Sequence, residues 1–122
     1  EEVVLPGEEG QIGVLPGHMP LLTSLGIGEM IVKEQGEEQN YFLVRGFAEV
    51  LSDRVRILAE ECEGVENIDI QKARAEFKDA EREMKRLREQ EEPEQELLEK
   101  YRESLRKARM RLMLSGELDD DE

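Results

Sequence analysis

Gly7-Glu8-Glu9-Gly10-Gln11-Ile12-Gly13-Val14-Leu15-Pro16-Gly17-His18-Met19-Pro20-Leu21-Leu22-Thr23 is the stretch on which the reading of this chain turns. Its seventeen residues hold four glycines and two prolines, together with Ile12, Val14, Leu15, Leu21 and Leu22. A disordered linker stays open because it has little apolar surface to bury, and this stretch has too much. Glycine opens positive φ and proline fixes φ, so the pattern predicts tight turns between short, partly buried strands.

The same punctuation runs outward to about Leu58. Val3-Val4-Leu5 stops at Pro6-Gly7, the run from Leu21 to Leu25 stops at Gly26-Ile27-Gly28, and Met30-Ile31-Val32 leads to Gly36-Glu37-Glu38. Tyr41-Phe42-Leu43-Val44 follows. Ser52-Asp53-Arg54 then separates the run Phe47 to Leu51 from Val55-Arg56-Ile57-Leu58. Apolar runs of strand length at this spacing predict a hairpin-rich, antiparallel β-sandwich or barrel. Arg45-Gly46, caught between two runs, predicts a bulge or bend.

After Asn67 the period changes. Ile70, Ala73, Phe77, Ala80, Met84 and Leu87 are spaced 3, 4, 3, 4, 3, and Leu98, Tyr101, Leu105, Ala108 and Leu112 are spaced 3, 4, 3, 4. Each series is an apolar seam on one helix face. Pro93, inside Glu91-Glu92-Pro93-Glu94, breaks the helix between them. The expectation is an antiparallel two-helix hairpin with helices within residues 69–90 and 94–114. The fold class is therefore an N-terminal antiparallel β-sandwich followed by a C-terminal helical hairpin. Residues 1–66 form the first domain, 67–114 the second, and 115–122 an acidic flexible tail. The seams carry few large residues, which predicts a hairpin of marginal stability.

The chain has 122 residues and a formal net charge of −14, from 31 acidic against 17 basic residues. That balance disfavours nucleic-acid binding and adhesion to anionic lipid. No apolar run approaches bilayer-spanning length, and the N-terminus has no signal-peptide pattern, so a soluble chain is expected that meets a membrane only through a partner. Cys62 is the single cysteine, which excludes an internal disulfide and suits a reducing compartment. No nucleophile–base pair or metal-ligand spacing stands out, so the chain is not expected to be an enzyme.

Three segments resemble the epsilon subunit of bacterial-type F-type ATP synthases. Pro6-Gly7-Glu8-Glu9-Gly10 through Gly13-Val14-Leu15-Pro16-Gly17-His18-Met19-Pro20-Leu21 is similar to the family's P-G-E-x-G-x-x-G-x-x-P-G-H-x-P-L signature. Gly46-Phe47-Ala48-Glu49-Val50 is similar to G-F-x-E-V, and Ile68-Asp69-Ile70-Gln71-Lys72-Ala73 to I-D-x-x-R-A. The three occur in family order, with the family's layout of a β-domain followed by a helical hairpin. Family members begin with a further pair of short strands ahead of the segment matching residues 1–5. Their absence here predicts an unpaired sheet edge.

The resemblance implies a non-catalytic rotor subunit whose sandwich binds the gamma subunit and the c-ring. It also implies a hairpin that extends among the catalytic alpha and beta subunits to brake ATP hydrolysis. Such a subunit sits at the cytoplasmic face of the bacterial inner membrane, or on the stromal or matrix side in an organelle. No cofactor is required. The alternatives are an ATP-sensing module and a generic coiled-coil adaptor.

Candidate site residues follow. His18, the single histidine, reads from the residues alone as a turn histidine bonded to backbone; by resemblance it joins Glu9 and Gln11 at a rotor interface. Asp69 reads as a helix N-cap. By resemblance Glu63, Asp69, Lys72 and Ala73 would instead form an ATP site. Lys72 stands where the family motif has arginine, which removes a planar fork from phosphate recognition. Asp79 stands where some ATP-binding relatives carry a second arginine, so weak or no binding is expected. Finally, Lys100, Arg102, Arg106, Lys107, Arg109 and Arg111 reverse the sign of an acidic chain. Arg102, Arg106 and Arg109 share one helix face, a stripe suited to an acidic partner surface, which the resemblance identifies as a loop of the beta subunits.

Overall fold

The computed structural model describes residues 1–17 and 19–118. It divides after Asn67 into a β unit and a helical unit. The β unit contains β1 (Glu2–Gly7), β2 (Gly10–Val14), β3 (Leu21–Leu25), β4 (Gly28–Glu34), β5 (Glu37–Val50) and β6 (Val55–Gly64), and a single 3-10 turn, Val65–Asn67. Every pairing is antiparallel.

The architecture rests on one long hairpin bent double. β4 pairs with the first half of β5, from Glu34↔Glu37 to Gly28↔Leu43, and β3 with its second half, from Leu25↔Gly46 to Leu21↔Val50. The two ladders keep one register, so β3 and β4 are successive parts of a single arm interrupted at Gly26-Ile27. Gln35 (φ 52°) and Gly36 (φ 79°) close the tip. Positive φ at both central residues is what a two-residue hairpin turn requires.

The opposite arm bends where the sequence predicts it. Arg45 has φ 30° and Gly46 has φ 156°. The Arg45 amide donates to Gly26 O at 3.0 Å, and the Gly26 amide to Pro6 O at 2.8 Å, tying both bends to β1. A Cβ on Gly46 would lie 1.8 Å from Leu58 O, so no side chain fits there. Bending lets β1 pair with both parts of the arm: Val3↔Val32 and Val4↔Ile31 on β4, and Gly7↔Leu25 on β3. The ladder β1–β4–β5–β3 thereby closes on itself around Leu5, Val14, Leu25, Met30, Leu43, Ala48 and Val50. Leu5, Leu25 and Leu43 are completely buried, each worth about 1.5–3 kcal/mol of apolar transfer.

Two strand boundaries differ from the sequence reading. β1 continues through Pro6-Gly7 to pair with Gln11 and Gly10. Pro6 lacks an N–H but uses its carbonyl. β6 continues past Leu58 to Gly64, opposite Tyr41, because Glu60, Glu61 and Glu63 mask an alternating strand that β5 nevertheless pairs. β2 and β6 each pair on one side only among the described residues. A cleft of about 470 Å³ lined in part by Val3, Val14, Met30, Val32, Val55 and Ile57 opens beside them.

The helical unit comprises α1 (Ile70–Arg88) and α2 (Gln95–Leu114). Asp69 caps α1, its Oδ1 accepting from the Lys72 amide at 3.1 Å. Pro93 lies in the connecting loop, as its missing donor demands. Arg74 near the start of α1 pairs with Glu117 just past the end of α2, so the helices run antiparallel. Ala73, Ala80, Met84 and Leu87 on α1, and Leu98, Ala108 and Leu112 on α2, are the buried seam. Ile70, Phe77, Tyr101 and Leu105 are half-buried beside them. Ser115, Gly116 and Glu117, expected with the flexible tail, cap α2 instead. Gly116 (φ 79°) donates to Met113 O at 3.1 Å and the Glu117 amide to Leu112 O at 2.8 Å, the paired bonds of a Schellman motif. Of the remainder of the expected tail, residues 119–122 lie outside the described residues.

Candidate partner-docking surface

Strand alternation puts Leu22 and Ser24 of β3, Phe47 and Glu49 of β5, and Arg56 and Leu58 of β6 on the face opposite the core residues Ala48 and Ile57. Phe47 stands directly across from Leu58 on one side and from Ser24 on the other, with Leu22 on the diagonal. Leu22 is 69% exposed, Phe47 53% and Leu58 76%. Single exposed apolar side chains are ordinary, but a contiguous band across three strands marks an interaction surface. The Arg56–Glu49 ion pair, at 3.5 Å, gives the band a polar border. Leu15 and Met19, also exposed, lie on the β2–β3 connection.

Glu9 sits in the β1–β2 turn and Gln11 on β2, both exposed. They line a shallow cleft together with Thr23 and Ser24, which brings them next to the strand carrying Leu22. His18 lies outside the described residues.

The four nucleotide candidates are divided between the units. Glu63 stands near the end of β6, opposite Phe42. Asp69, Lys72 and Ala73 belong to the start of α1. There the Asp69 carboxylate is occupied as a cap, and Ala73, 1% exposed, is part of the hairpin seam. Asp69 and Lys72 are both exposed. Beside Glu63, partial burial and then the neighbouring carboxylate push the Cys62 thiol above its ordinary range. Among the described residues no three His, Cys, Asp or Glu side chains group to hold a metal.

On α2, Arg102 donates to Glu99 Oε2 at 2.7 Å, and Arg109 donates to Met113 Sδ at 3.2 Å. Arg106 between them is exposed. The three project to the side of the seam formed by Leu98, Ala108 and Leu112.

The β-sandwich family described as the ATP synthase delta/epsilon chain matches residues 1–65, over half of the chain. The ATP synthase epsilon chain of Trichlorobacter lovleyi is 37% identical over 116 residues, which span 95% of this chain and 81% of the relative. The chain belongs to the ATP synthase epsilon-chain family. The epsilon chain of Prochloron didemni is 42% identical over 116 residues, 95% of this chain and 84% of its own. The chloroplastic epsilon chain of Tetradesmus obliquus is 44% identical over 77 residues, 63% of this chain and 57% of its own. In fold, the chain is similar to one in the mitochondrial ATP synthase of Euglena gracilis, solved with its OSCP, F1 and c-ring parts. The TM-score is 0.69 at 22% identity, covering 98% of this chain and 68% of that one.

As an epsilon-family chain this is a non-catalytic accessory subunit of the central stalk. Neither helix is long and apolar enough to cross a membrane. The apolar band of this epsilon-type sandwich was not legible in the sequence. Ile57 and Leu58 are adjacent and equally apolar, and only the β5–β6 register decides that Ile57 turns inward and Leu58 outward.

Proposed function

We propose that this epsilon-family chain is a rotor subunit that docks the gamma subunit through its sandwich, meets the c-ring through Glu9, Gln11 and His18, and brakes ATP hydrolysis through its hairpin. The exposed band Leu22–Phe47–Leu58 carries the reading. A free chain that leaves three large apolar side chains together in water is built to bury them on a partner. The hairpin part is supported by the small seam and by Arg102, Arg106 and Arg109. These charges add little to hairpin stability while exposed, and gain strength against an acidic alpha–beta surface with water partly excluded. The chain reaches the membrane only through the complex, on the cytoplasmic face in a bacterium. No cofactor takes part. The capping role of Asp69 and the burial of Ala73 count against ATP as a regulatory ligand.

Co-purification with gamma tests the docking. Phe47→Asp should abolish it while leaving the free chain folded, because Phe47 is half-exposed on the outer face. For the brake, Arg102, Arg106 and Arg109 are replaced together by Ala, which preserves helix propensity. The reconstituted complex should then hydrolyse ATP faster and lose much of its salt response. Identical rates and identical salt response in the two complexes would remove the brake from this stripe.

A further inference from the structure

Glu117 is misplaced for its own helix, and Arg74 stands within reach of it from the other. Arg74 lies in the second turn of α1. Glu117 follows the end of α2, where the negative end disfavours an anion. The Schellman motif that ends α2 usually places an apolar residue at the Glu117 position, packed back on its own helix. Here a carboxylate stands there, and it crosses to accept a hydrogen bond from Arg74 Nη2. The Arg82–Asp79, Arg86–Glu83, Arg102–Glu99 and Lys107–Glu103 pairs lie within single helices and survive separation of α1 from α2. The Arg74–Glu117 pair does not. Glu117 is only 29% exposed in this contact, so part of its hydration has been exchanged for the guanidinium.

We infer that Arg74 and Glu117 form a clasp that biases the hairpin toward its closed state. Closed, the two charges satisfy each other across the open end of the hairpin. Open, Glu117 is left at the negative end of α2 without a partner. The pair therefore acts twice, by favouring the closed form and by disfavouring separated helices. Its regulatory meaning rests on the hairpin opening proposed above; its existence does not.

Native-state hydrogen exchange on the free, full-length chain at low ionic strength reads the clasp directly. Arg74→Gln and Glu117→Gln should each accelerate exchange of the seam amides of Ala80 and Ala108 about two- to fivefold, the range open to a partly exposed ion pair. Gly116, not the Glu117 side chain, makes the cap, so both variants keep α2 intact. Arg74→Glu is the decisive variant, since it gives Lys78 an i,i+4 partner within α1 but faces Glu117 with a like charge. A clasp requires faster exchange; a purely local helix-end effect gives slower exchange and overturns the proposal. The exchanged pair R74E/E117R should return protection to the wild-type level or above, and failure to do so also overturns it. A complex whose ATPase ignores the arginine stripe would remove the brake and leave these exchange results standing.

Discussion

In the β unit, Leu5, Leu25 and Leu43 meet from three strands distant in sequence, and the ladder that holds them closes on itself. In the hairpin, three of the seven buried seam positions are alanines, Ala73, Ala80 and Ala108, and each helix carries its own cap and its own i,i+3 ion pairs. The first unit closes only through pairings between distant segments, Val3↔Val32, Gly7↔Leu25 and Leu21↔Val50, added to its local hairpins. The second is assembled from parts that hold much of their structure locally, joined along a thin interface. Interfaces rich in alanine let backbones approach while burying little area, so separation costs little beside the loss of a leucine core. A closed β ladder and a helix pair joined along a thin seam are different physical objects, and this chain has one of each.

The comparison breaks most severely at Gly46. A methyl group there meets Leu58 O at 1.8 Å and the backbone of Ala59 at 2.8 Å, at φ 156°. Gly46→Ala combines steric overlap with backbone strain, together on the order of 3–5 kcal/mol. Chemical denaturation should show the β unit largely unfolded, while exchange protection persists in α1 and α2. Gly10→Ala is the control, since Gly10 also has positive φ (133°) but nothing lies within 4 Å of its Cβ. Its cost should be only the conformational term, about 1–2 kcal/mol. Equal losses in the two variants would mean that the bend of β5 is not what closes the sandwich.

Ala108→Leu is the matching insult to the hairpin. Ala108 is fully buried, so the added side chain must push the helices apart. About 1–3 kcal/mol of destabilisation is expected, confined to α1 and α2, with β-unit exchange unchanged. Arg106→Ala, two residues earlier and outside the seam, should stay within about 0.5 kcal/mol. Coupled losses in both units after Ala108→Leu would contradict their separate construction.

The contrast also explains what could be read from the chain alone. Helix periodicity is a local signal, so the seam from Ile70 to Leu87, the break at Pro93 and the Asp69 cap were all legible. The bend at Arg45-Gly46 was legible for the same reason, being written in two adjacent residues. Strand pairing is a relation between distant segments. The sequence therefore could not say that β3 and β4 form one arm, that Pro6 stays within β1, or that the acid-rich residues 59–64 extend β6. The outward band of Leu22, Phe47 and Leu58 depends on that pairing and was hidden with it. The capping triad Ser115-Gly116-Glu117 was obscured differently, because acidic composition suggested a tail where Gly116 in fact supplies a left-handed cap. Among the candidate sites, residue type marked Asp69 as a cap. Ala73, a candidate by resemblance, was already placed in the seam by its spacing, and the structure buries it there.

The smallest effect concerns Asp69, where the two readings of the helix start make opposite demands. Its Oδ1 accepts from the Lys72 amide at 3.1 Å, and its carbonyl accepts from the Ala73 amide at 3.0 Å. As a cap, Asp69 contributes about 1 kcal/mol, within a range of about 0.5–2. Asp69→Ala should lower the hairpin's stability by that amount, and Asp69→Asn should restore nearly all of it, since asparagine caps as well as aspartate. Neither variant should alter a response to ATP if Asp69 serves only as the cap. Thermal unfolding of wild type, Asp69→Ala and Asp69→Asn, with and without ATP, separates the readings. A ligand at a hundredfold excess over Kd would add about 2.7 kcal/mol, well above the cap's contribution. If ATP raises the wild-type transition by that margin and Asp69→Ala removes the rise, Asp69 is a nucleotide residue first and a cap second. If ATP leaves all three transitions where they were, the start of α1 is a helix start and nothing more, and the nucleotide reading of Asp69 falls.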